Sequence, residues 1–377
     1  MALAIRLARR GQGRTWPNPI VGAVLVKAGQ VLGQGWHRCA GGPHAEIEAL
    51  QDAQRRGFRA HGATLYVTLE PCSTTGRTPP CTDAIVAAGI RRVVVATIDP
   101  NPRHLGRGVR LLKRAGVAVV TGCLEERARL LNEAWNHWMR HRQPFVCIKA
   151  AMTLDGKIAT AARESTYISG PAARRWTMRL RARAHAVLVG INTVLADDPS
   201  LTPRRPDGRL LLPVGRLPQR IVLDAQARTP LSAKLVNDQH RRLTTIVVSR
   251  RAPPRRVAAL RRRVRVWVAP CTAGRIDLRW LLRRLGKDGV GSLLVEGGGE
   301  VNGSFIERRL AHGVAFIYAA KVIGGRDAPR AVGGRGARTR AEMLRLTQAR
   351  GRPVGDALLL TARLPGAHKS LPWQLQD

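Results

Sequence analysis

The sequence contains few aromatic residues and no long apolar run. Phe, Trp and Tyr make up 4% of its 377 residues, so the stacked aromatic platforms of proteins that bind single-stranded nucleic acid are scarce. No apolar run approaches the roughly 20 residues that a membrane-spanning helix needs. The first ten residues, 1–10, place arginines among Ala, Leu and Ile, a pattern typical of an amphipathic helix and unlike a secretory signal. We therefore expect a cytoplasmic protein without a membrane partner.

Cysteine is sparse, and most of the cysteines show no pattern. The chain has six, and Cys39, Cys123, Cys147 and Cys271 lack the regular spacing of a disulfide framework. Disulfides are therefore not expected, which fits a reducing compartment.

Acidic residues are few relative to basic ones. Against 25 Asp and Glu stand 64 Lys and Arg, which gives a formal net charge of +39. Such a charge attracts nucleic acid and other polyanions. The basic residues are mostly arginines spread over both halves, with short runs at 261–263 and 283–284, as expected when arginine fills solvated faces. The composition therefore favours plain solvated arginine faces over a nucleic-acid-binding surface, with phosphate-bearing substrates as a further option.

His44, Cys72 and Cys81 have the composition of a catalytic zinc site. One imidazole and two thiolates supply three ligands, and a catalytic site keeps the fourth position open, whereas a structural site uses four protein ligands. Glu46 follows His44 by two residues, the place of a carboxylate that transfers protons without binding metal. His-x-Glu with a later Pro-Cys and a second Cys is the pattern of zinc nucleobase deaminases, although eight residues rather than two separate the cysteines here. The alternative is that these cysteines are small buried hydrophobic residues.

Strands and helices are predicted to alternate in both halves, which indicates an α/β protein. In the first half, strands are predicted at 20–26, 31–36, 64–69, 92–96 and 117–120, and helices at 1–10, 44–56, 81–88, 105–115 and 125–141. In the second half, strands are predicted at 145–149, 186–190, 220–223, 245–248 and 292–295, and a helix at 171–183. The division expected is a first domain at 1–122, a connecting helix and linker at 123–143, a second domain at 144–363 and a tail at 364–377.

Three glycines, 297–299, follow the last of these strands and Glu296. A strand that runs into glycines before a helix can bind phosphate through backbone N–H groups. The same glycines also suit a plain tight turn. The dinucleotide fingerprint Gly-x-Gly-x-x-Gly does not occur in the required place.

Several longer segments carry a family resemblance that covers nearly the whole chain. They are 17–24, 44–46, 68–72, 76–81, 99–102, 153–157, 194–199, 295–298 and 321–325. In this order they resemble the bifunctional deaminase/reductases of riboflavin biosynthesis. The resemblance implies a cytidine-deaminase-like three-layer domain followed by a dihydrofolate-reductase-like α/β domain. It also implies zinc-dependent deamination of a diaminopyrimidinone ribosylamine phosphate, NADPH-dependent reduction of the ribosyl group to ribityl, and a homo-oligomer formed through the reductase domain.

The resemblance also assigns individual residues. It implies zinc binding by His44, Cys72 and Cys81, proton transfer by Glu46, and a deaminase substrate contact at Asn18. The reductase substrate contacts that it implies are Ser165, Arg181, Leu201, Arg204 and Glu296. The NADP contacts that it implies are Ala151, Tyr167, Ser169, Thr193, Asp197, Gly298 and Gly299. The guanidinium groups of the two arginines suit a ribose phosphate, and Asp197 suits a positioning role better than that of a base.

Two departures from the family and two rival interpretations stay open. Thr74 stands where members usually carry His, and Tyr167 where Trp is frequent. One rival is a zinc deaminase acting on nucleic acid, with the second half as a binding module. The other is a non-enzymatic nucleic-acid-binding protein with a structural zinc, for which His37 or Cys39 would have to supply the fourth ligand.

Overall fold

The structure is a computed structural model that describes residues 1–75, 79–102, 104–164 and 168–365. Two predicted site residues, Ser165 and Tyr167, lie outside the described residues. The chain divides into two compact units, the first at 1–142 and the second beginning at Gln143. Among the described residues, a helix both long enough and apolar enough to cross a membrane is not found.

The first unit is built on a five-stranded sheet. Its strands are β1 (Gly22–Lys27), β2 (Gln30–Trp36), β3 (Thr64–Val67), β4 (Arg92–Val95) and β5 (Ala118–Thr121). They lie in the order β2-β1-β3-β4-β5, in which β1 is antiparallel to both neighbours and β3, β4 and β5 are parallel. The helices are α1 (Ala2–Ala8), α2 (Ala45–Arg55), α3 (Cys81–Ala87), α4 (Arg107–Arg114), α5 (Glu125–Leu131) and α6 (Glu133–His141).

Helices cover both faces of this sheet, and glycines on the strands let them approach closely. A side chain at Gly22 of β1 would lie 2.1 Å from the carbonyl oxygen of Ala4 in α1. A side chain at Gly35 of β2 would lie 2.5 Å from the carbonyl oxygen of Ala45 in α2. Gly35 pairs with Ala23, the neighbour of Gly22. Because successive strand residues point to opposite faces, α1 and α2 pack on opposite sides and form the predicted three-layer arrangement.

Asn132 interrupts the single helix that the sequence predicts at 125–141. The segment forms α5 and α6, with Asn132 between them. The Asn132 amide donates to the carbonyl oxygen of Ile20 and accepts from the N–H of Ile20, both at 2.7 Å. This side-chain pairing with a segment far away in sequence ends the first helix, so the prediction of one continuous helix is wrong.

The second unit is built on a nine-stranded sheet. Its strands are β6 (Phe145–Thr153), β7 (Ala186–Gly190), β8 (Gln219–Leu223), β9 (Thr244–Ser249), β10 (Arg265–Ala269), β13 (Ser292–Val295), β14 (Gly313–Ala319), β15 (Thr347–Val354) and β16 (Ala357–Arg363). A small hairpin of β11 (Cys271–Thr272) and β12 (Arg275–Ile276) stands apart. The helices are α7 (Pro171–Arg181), α8 (Ile191–Asp197), α9 (Lys234–Asn237), α10 (Pro254–Arg261), α11 (Leu278–Lys287) and α12 (Gly299–Glu307).

The strand order of this sheet determines where a ligand can bind. The strands lie in the order β10-β9-β8-β7-β13-β6-β14-β16-β15. The first seven strands in this order are parallel to one another. The central strands β7 and β13 are buried along their whole length, as expected for parallel strands covered on both faces. Ligands of open parallel sheets bind outside the carboxyl ends of the strands. Those ends lie together along one edge of the second unit.

Candidate active sites

Three element ends bring His44, Cys72 and Cys81 together in the first unit. His44 immediately precedes α2, Cys72 follows β3, and Cys81 is the first residue of α3. Nδ1 of His44 lies 3.2 Å from Sγ of Cys81 and 3.5 Å from Sγ of Cys72. All three ligand atoms lie within 4.8 Å of one another. Ligand atoms on one tetrahedral zinc ion are about 3.5 Å apart, so the donor set and its spacing fit zinc.

The protonation of Cys72 also suits metal binding. The pKa of its thiol is lowered to about 4, chiefly by a hydrogen bond from the Cys81 thiol and further by His44. The backbone N–H of Cys81 also donates to Sγ of Cys72, at 3.3 Å. The same hydrogen bond, together with burial, raises the pKa of the Cys81 thiol. Because the thiolate is the form that binds metal, Cys72 is ready to bind a cation, whereas Cys81 must release its proton when the metal binds.

Glu46 lies in the first turn of α2 and is buried, with 3% of its surface exposed. Burial raises the pKa of its carboxyl to about 7, the nearby Cys72 acts in the same direction, and His44 opposes the shift. A carboxyl group with a pKa near neutrality can both accept and release a proton at working pH. This is the property that a proton shuttle beside a hydrolytic metal site requires.

His37 connects Asn18 to the metal cluster without joining it. Its Nδ1 donates to the carbonyl oxygen of Pro43 at 2.9 Å, so Nε2 is the acceptor for the Asn18 amide Nδ2 at 3.1 Å. The His37 ring packs edge-on against His44, with 5.3 Å between centroids. Among the described residues, neither His37 nor the exposed Cys39 belongs to the group of possible metal ligands. The structural-zinc interpretation therefore lacks its fourth ligand.

We predict that His37→Phe lowers deaminase kcat/KM about threefold to tenfold, because one neutral hydrogen bond contributes about 0.5–1.5 kcal/mol. The ring packing stays, but the Asn18 amide loses the partner that fixes its orientation. His37→Gln, which keeps an acceptor, should retain more activity, and the exposed Cys39→Ser should behave as wild type. Steady-state ammonia release and zinc analysis would check this. Loss of zinc from His37→Phe would contradict it and identify His37 as a ligand.

Glu70 is a buried residue whose role the sequence did not reveal. Its carboxylate accepts backbone hydrogen bonds from Asp99, Gly106 and Val109, at 3.1, 2.9 and 3.1 Å. A side chain at Gly108 would lie 2.2 Å from the carbonyl oxygen of Pro71, so α4 packs directly on the residue before Cys72. Glu70 thus ties the segment that carries Cys72 to α4. Half-buried Thr74 lies two residues beyond Cys72.

In the second unit, a cavity of about 1590 Å³ borders the carboxyl ends of the parallel strands. Single small-molecule sites measure about 300–1,000 Å³, so this one has room for a cofactor and a substrate together. Nine of the predicted contacts line it: Ala151, Ser169, Arg181, Thr193, Asp197, Leu201, Glu296, Gly298 and Gly299. Arg204 is not among the lining residues. Its guanidinium is held by the Thr202 hydroxyl and the Gly208 carbonyl, at 3.0 and 2.9 Å.

A buried ion-pair cluster of Lys149, Arg181 and Glu296 lies in this cavity. Arg181 donates to both oxygens of Glu296, through Nε at 2.7 Å and Nη2 at 3.0 Å. Nζ of Lys149 lies 3.7 Å from Oε2 of the same carboxylate. Burial favours a higher pKa for Glu296, but Arg181 and then Lys149 outweigh it and lower the pKa below its usual value. The cluster carries one net positive charge. The Nε and Nη2 groups of Arg181, which could otherwise bind a phosphate through two hydrogen bonds, already donate to Glu296.

The three glycines after β13 have different roles. A side chain at Gly297 would lie 2.5 Å from Cβ of Val301, and one at Gly299 would lie 2.3 Å from the carbonyl oxygen of Arg330. A side chain at Gly298 would meet no atom within 4 Å. Gly298 therefore borders open space where α12 begins, and the first N–H groups of that helix favour an anion. The arrangement fits the pyrophosphate of a dinucleotide.

Two of the family-like segments, 153–157 and 321–325, bind each other at the border of this cavity. The Asp155 carboxylate accepts from the N–H groups of Ile323 and Gly324, at 3.2 and 2.7 Å. Nζ of Lys157 donates to the carbonyl oxygen of Gly325 at 2.8 Å. The loop that follows contributes eight lining residues: Asp327, Pro329, Arg330, Val332, Gly333, Gly334, Arg335 and Gly336. Asp155 and Lys157 therefore anchor a wall of the cavity.

We predict that Asp155→Ala raises the KM for NADPH about fivefold to tenfold, because two backbone donors of the anchored loop lose their acceptor. Asp155→Asn keeps one acceptor oxygen and should fall between Ala and wild type. Initial rates of NADPH oxidation at varied cofactor concentration, with the deaminated intermediate as substrate, would check this. An unchanged KM in Asp155→Ala would show that the loop holds its position without the carboxylate.

Comparisons with known proteins match both units of the chain. A family model described as "Cytidine and deoxycytidylate deaminase zinc-binding region" matches residues 1–97. A second, described as "RibD C-terminal domain", matches residues 144–360. The chain is 41% identical over 360 residues to "Riboflavin biosynthesis protein RibD" of Aquifex aeolicus, covering 96% of each chain. It is also 41% identical to the protein of the same name from Escherichia coli, covering 86% of this chain and 88% of the other.

Solved structures give the same result. Acinetobacter baumannii RibD, form 1, superposes with a TM-score of 0.83 at 34% identity, covering 96% of this chain and 97% of the other. A deaminase/reductase from Thermotoga maritima superposes with a TM-score of 0.81 at 34% identity, covering 97% of both chains. These matches confirm the resemblance and the fold class predicted from the sequence. The chain belongs to the RibD family of riboflavin biosynthesis proteins.

Proposed function

We propose that the chain is a bifunctional enzyme of riboflavin biosynthesis. Its first unit removes ammonia from a diaminopyrimidinone ribosylamine phosphate, and its second unit reduces the ribosyl group of the product to ribityl with NADPH. The proposal rests on the presence of two different sites in one chain. The first unit has three zinc ligands beside buried Glu46, and the second unit has a large cavity bordered by the open backbone of Gly298. Neither rival interpretation accounts for that second cavity.

In the deaminase site, His44, Cys72 and Cys81 would hold zinc, which when bound activates water at neutral pH. Glu46 accepts the proton of the attacking water and delivers it to the departing amine. The exocyclic amine leaves as ammonia, and a carbonyl oxygen from water replaces it. Asn18, held by His37, contacts the substrate from the side of the cluster.

In the reductase site, the cofactor supplies the hydride, and the protein supplies orientation and charge. The backbone at Gly298 and Gly299, at the start of α12, binds the pyrophosphate. Ala151, Ser169, Thr193 and Asp197 contact the rest of the cofactor. The substrate contacts Arg181, Glu296 and Leu201. Lys149, which also lines the cavity, supplies a cation that the sequence analysis did not predict. For Arg204, Ser165 and Tyr167 the proposal rests on the resemblance alone.

We also propose a cytoplasmic location, small-molecule rather than nucleic-acid partners, and a homo-oligomer formed through the second unit.

The domains expected at 1–122 and 144–363 would carry the two activities, with 123–143 as the connection and 364–377 as a tail. Light scattering of the full chain and of residues 144–377 would test the oligomer. A monomeric full chain would contradict it.

The proposal is tested by following both reactions in one solution. Purified protein of known zinc content receives the diaminopyrimidinone ribosylamine phosphate and NADPH, and ammonia release and NADPH oxidation are recorded together. We expect ammonia to appear first and NADPH to fall after it. Reduction of added deaminated intermediate without any ammonia release would mean that the first site is inactive, with Thr74 the first residue to restore to His. Absence of both signals at full zinc loading would overturn the proposal.

A further inference from the structure

The loop before β1, at 12–21, carries Asn18 and is held by the segment of chain that leads into the second unit. On one side, the Asn18 amide contacts His37, which packs against the metal cluster. Three further contacts connect the loop to α6 and to Asn132, the residue between α5 and α6. The hydrogen-bonded partners are 112 and 118 residues apart, so the tertiary fold brings them together.

The hydrogen bonds fall on both sides of Asn18. Nε1 of Trp135 donates to the carbonyl oxygen of Pro17 at 3.1 Å. The Asn132 amide donates to the carbonyl oxygen of Ile20 and accepts from its N–H, both at 2.7 Å. The backbone is therefore fixed one residue before Asn18 and two residues after it. A backbone fixed in this way sets the direction in which the Asn18 side chain points.

An aromatic contact extends the support along α6. The rings of Trp16 and Trp138 meet edge to face, with 5.0 Å between centroids and an angle of 67°, the arrangement that aromatic pairs favour. The guanidinium of Arg142 lies 4.5 Å from the centroid of the Trp138 ring. Arg142 is the last residue before the second unit begins at Gln143. The support for the loop thus reaches to the end of the first unit.

The residues that hold the loop are themselves fixed in the core. Ala128 of α5 is 1% exposed and packs with Ile5 of α1 and with Ala96. Trp135 and Asn132 are each 5% exposed, and the Trp135 ring belongs to the main apolar core of the sheet. Buried polar groups are costly to leave without a partner. The loop is therefore held against the core and not against another loop.

We propose that Asn132 and Trp135 are positioning residues for the deaminase site and act through Asn18. This inference rests on the proposed deaminase function of the first unit. The segment at 123–143, expected as a connection between domains, then also sets the affinity of the first site for its substrate. A site that is competent for only part of the time binds with an affinity reduced by that fraction. Loss of the support should therefore raise KM, whereas kcat, which depends on Glu46 and the metal, should change little.

The kinetic test uses the full-length, zinc-loaded chain and the diaminopyrimidinone ribosylamine phosphate. Trp135→Phe keeps a ring in the core but removes the donor to Pro17, and it should raise KM about threefold to tenfold. Asn132→Ala removes two hydrogen bonds and should raise KM about tenfold to a hundredfold. Arg140→Gln, an exposed position on the same helix, is the matched control and should behave as wild type. A lower kcat at unchanged KM in Trp135→Phe would overturn the inference.

A double-mutant cycle with Asn18→Ala separates positioning from a general structural role. If Trp135 acts through Asn18, adding Trp135→Phe to Asn18→Ala should raise KM by less than about twofold further, because the side chain to be positioned is gone. A full, additive increase would overturn the inference. If Asn132→Ala fails to fold, the cycle with Trp135→Phe, which largely keeps the volume of the ring, still decides the question.

Hydrogen exchange gives a readout that does not depend on catalysis. The N–H of Ile20 is held by Oδ1 of Asn132, so Asn132→Ala should speed exchange in peptides that cover 16–22 by about tenfold or more. Trp135→Phe should have a smaller effect in the same peptides, and Arg140→Gln none. Exchange as in wild type in both variants would overturn the inference. Faster exchange in the variants of a chain that releases no ammonia would support the anchoring of the loop while contradicting the proposed deaminase function.

Discussion

Replacing Glu46 with glutamine is expected to lower deaminase kcat about 1,000-fold while leaving the reductase within twofold of wild type. The carboxyl is buried in the first turn of α2, and its raised pKa suits a group that accepts and returns a proton. Glutamine fills the same volume but cannot transfer a proton, and general acid–base catalysis contributes about 10²- to 10⁴-fold. Ammonia release from the diaminopyrimidinone substrate measures the loss. NADPH oxidation with the deaminated intermediate measures the reductase.

Glu48→Gln is the matched control for this variant. Glu48 lies in the same turn of α2, is also largely buried, and its Oε2 accepts from Nε of the exposed Arg38 at 3.1 Å. A half-exposed ion pair contributes about 0.2–1 kcal/mol, so this variant should keep nearly full activity. Zinc content should match wild type in both variants. Loss of zinc from Glu46→Gln would mean that the carboxylate binds the metal, which contradicts the role proposed for it.

The metal cluster could be predicted from the sequence because its chemistry is local to short motifs. His44, Cys72 and Cys81 each stand at the boundary of a predicted element, and three soft or borderline ligands with an adjacent carboxylate have few other uses. The supporting residues could not be predicted in the same way. Glu70 acts by accepting hydrogen bonds from N–H groups 29, 36 and 39 residues away, in the segment that leads into α4, and His37 acts through Asn18. Such contacts depend on tertiary packing, which a single sequence does not encode in any periodic pattern.

The second unit shows the same limit more strongly. The sequence predicts the buried strands β6, β7, β8, β9 and β13 because their apolar runs are continuous, but it does not predict β14, β15 and β16. In β15 every residue is exposed or half-buried, so this strand lacks an apolar signal. The pairing of Lys149 with Glu296 follows from sheet register, in which Ile148 lies opposite Val295. Register between strands about 150 residues apart is a property of the fold.

The sequence predicts either a phosphate-binding segment or a plain tight turn at glycines 297–299, and the structure shows that the three glycines have different surroundings. Only Gly298 faces open space, whereas Gly297 allows close packing of Val301 and Gly299 allows the loop at Arg330 to approach. A glycine needed for a ligand and a glycine needed for packing look identical in the sequence. The steric surroundings distinguish them.

Replacing Glu296 with glutamine is expected to have the largest effect on the second unit. The change leaves Arg181 and Lys149 as neighbouring cations whose side chains are only 14% and 13% exposed. Removing one partner from a buried ion pair costs about 3–5 kcal/mol, and here the remaining groups also repel each other. We expect reductase kcat/KM to fall at least about a hundredfold and urea unfolding to begin at lower concentration. Ammonia release and zinc content, which report on the first unit, should be unchanged.

A second substitution separates the loss of stability from the loss of function. Lys149→Met in the Glu296→Gln background removes one of the two unpaired cations, so it should restore most of the stability without restoring reduction. Asp207→Asn, which removes an exposed ion pair with Arg209 in the same unit, is the control and should alter neither. Recovery of reductase activity together with stability in the double variant would mean that the cluster serves folding alone. Continued loss of reduction in a stable protein would place the carboxylate in the chemistry of the site.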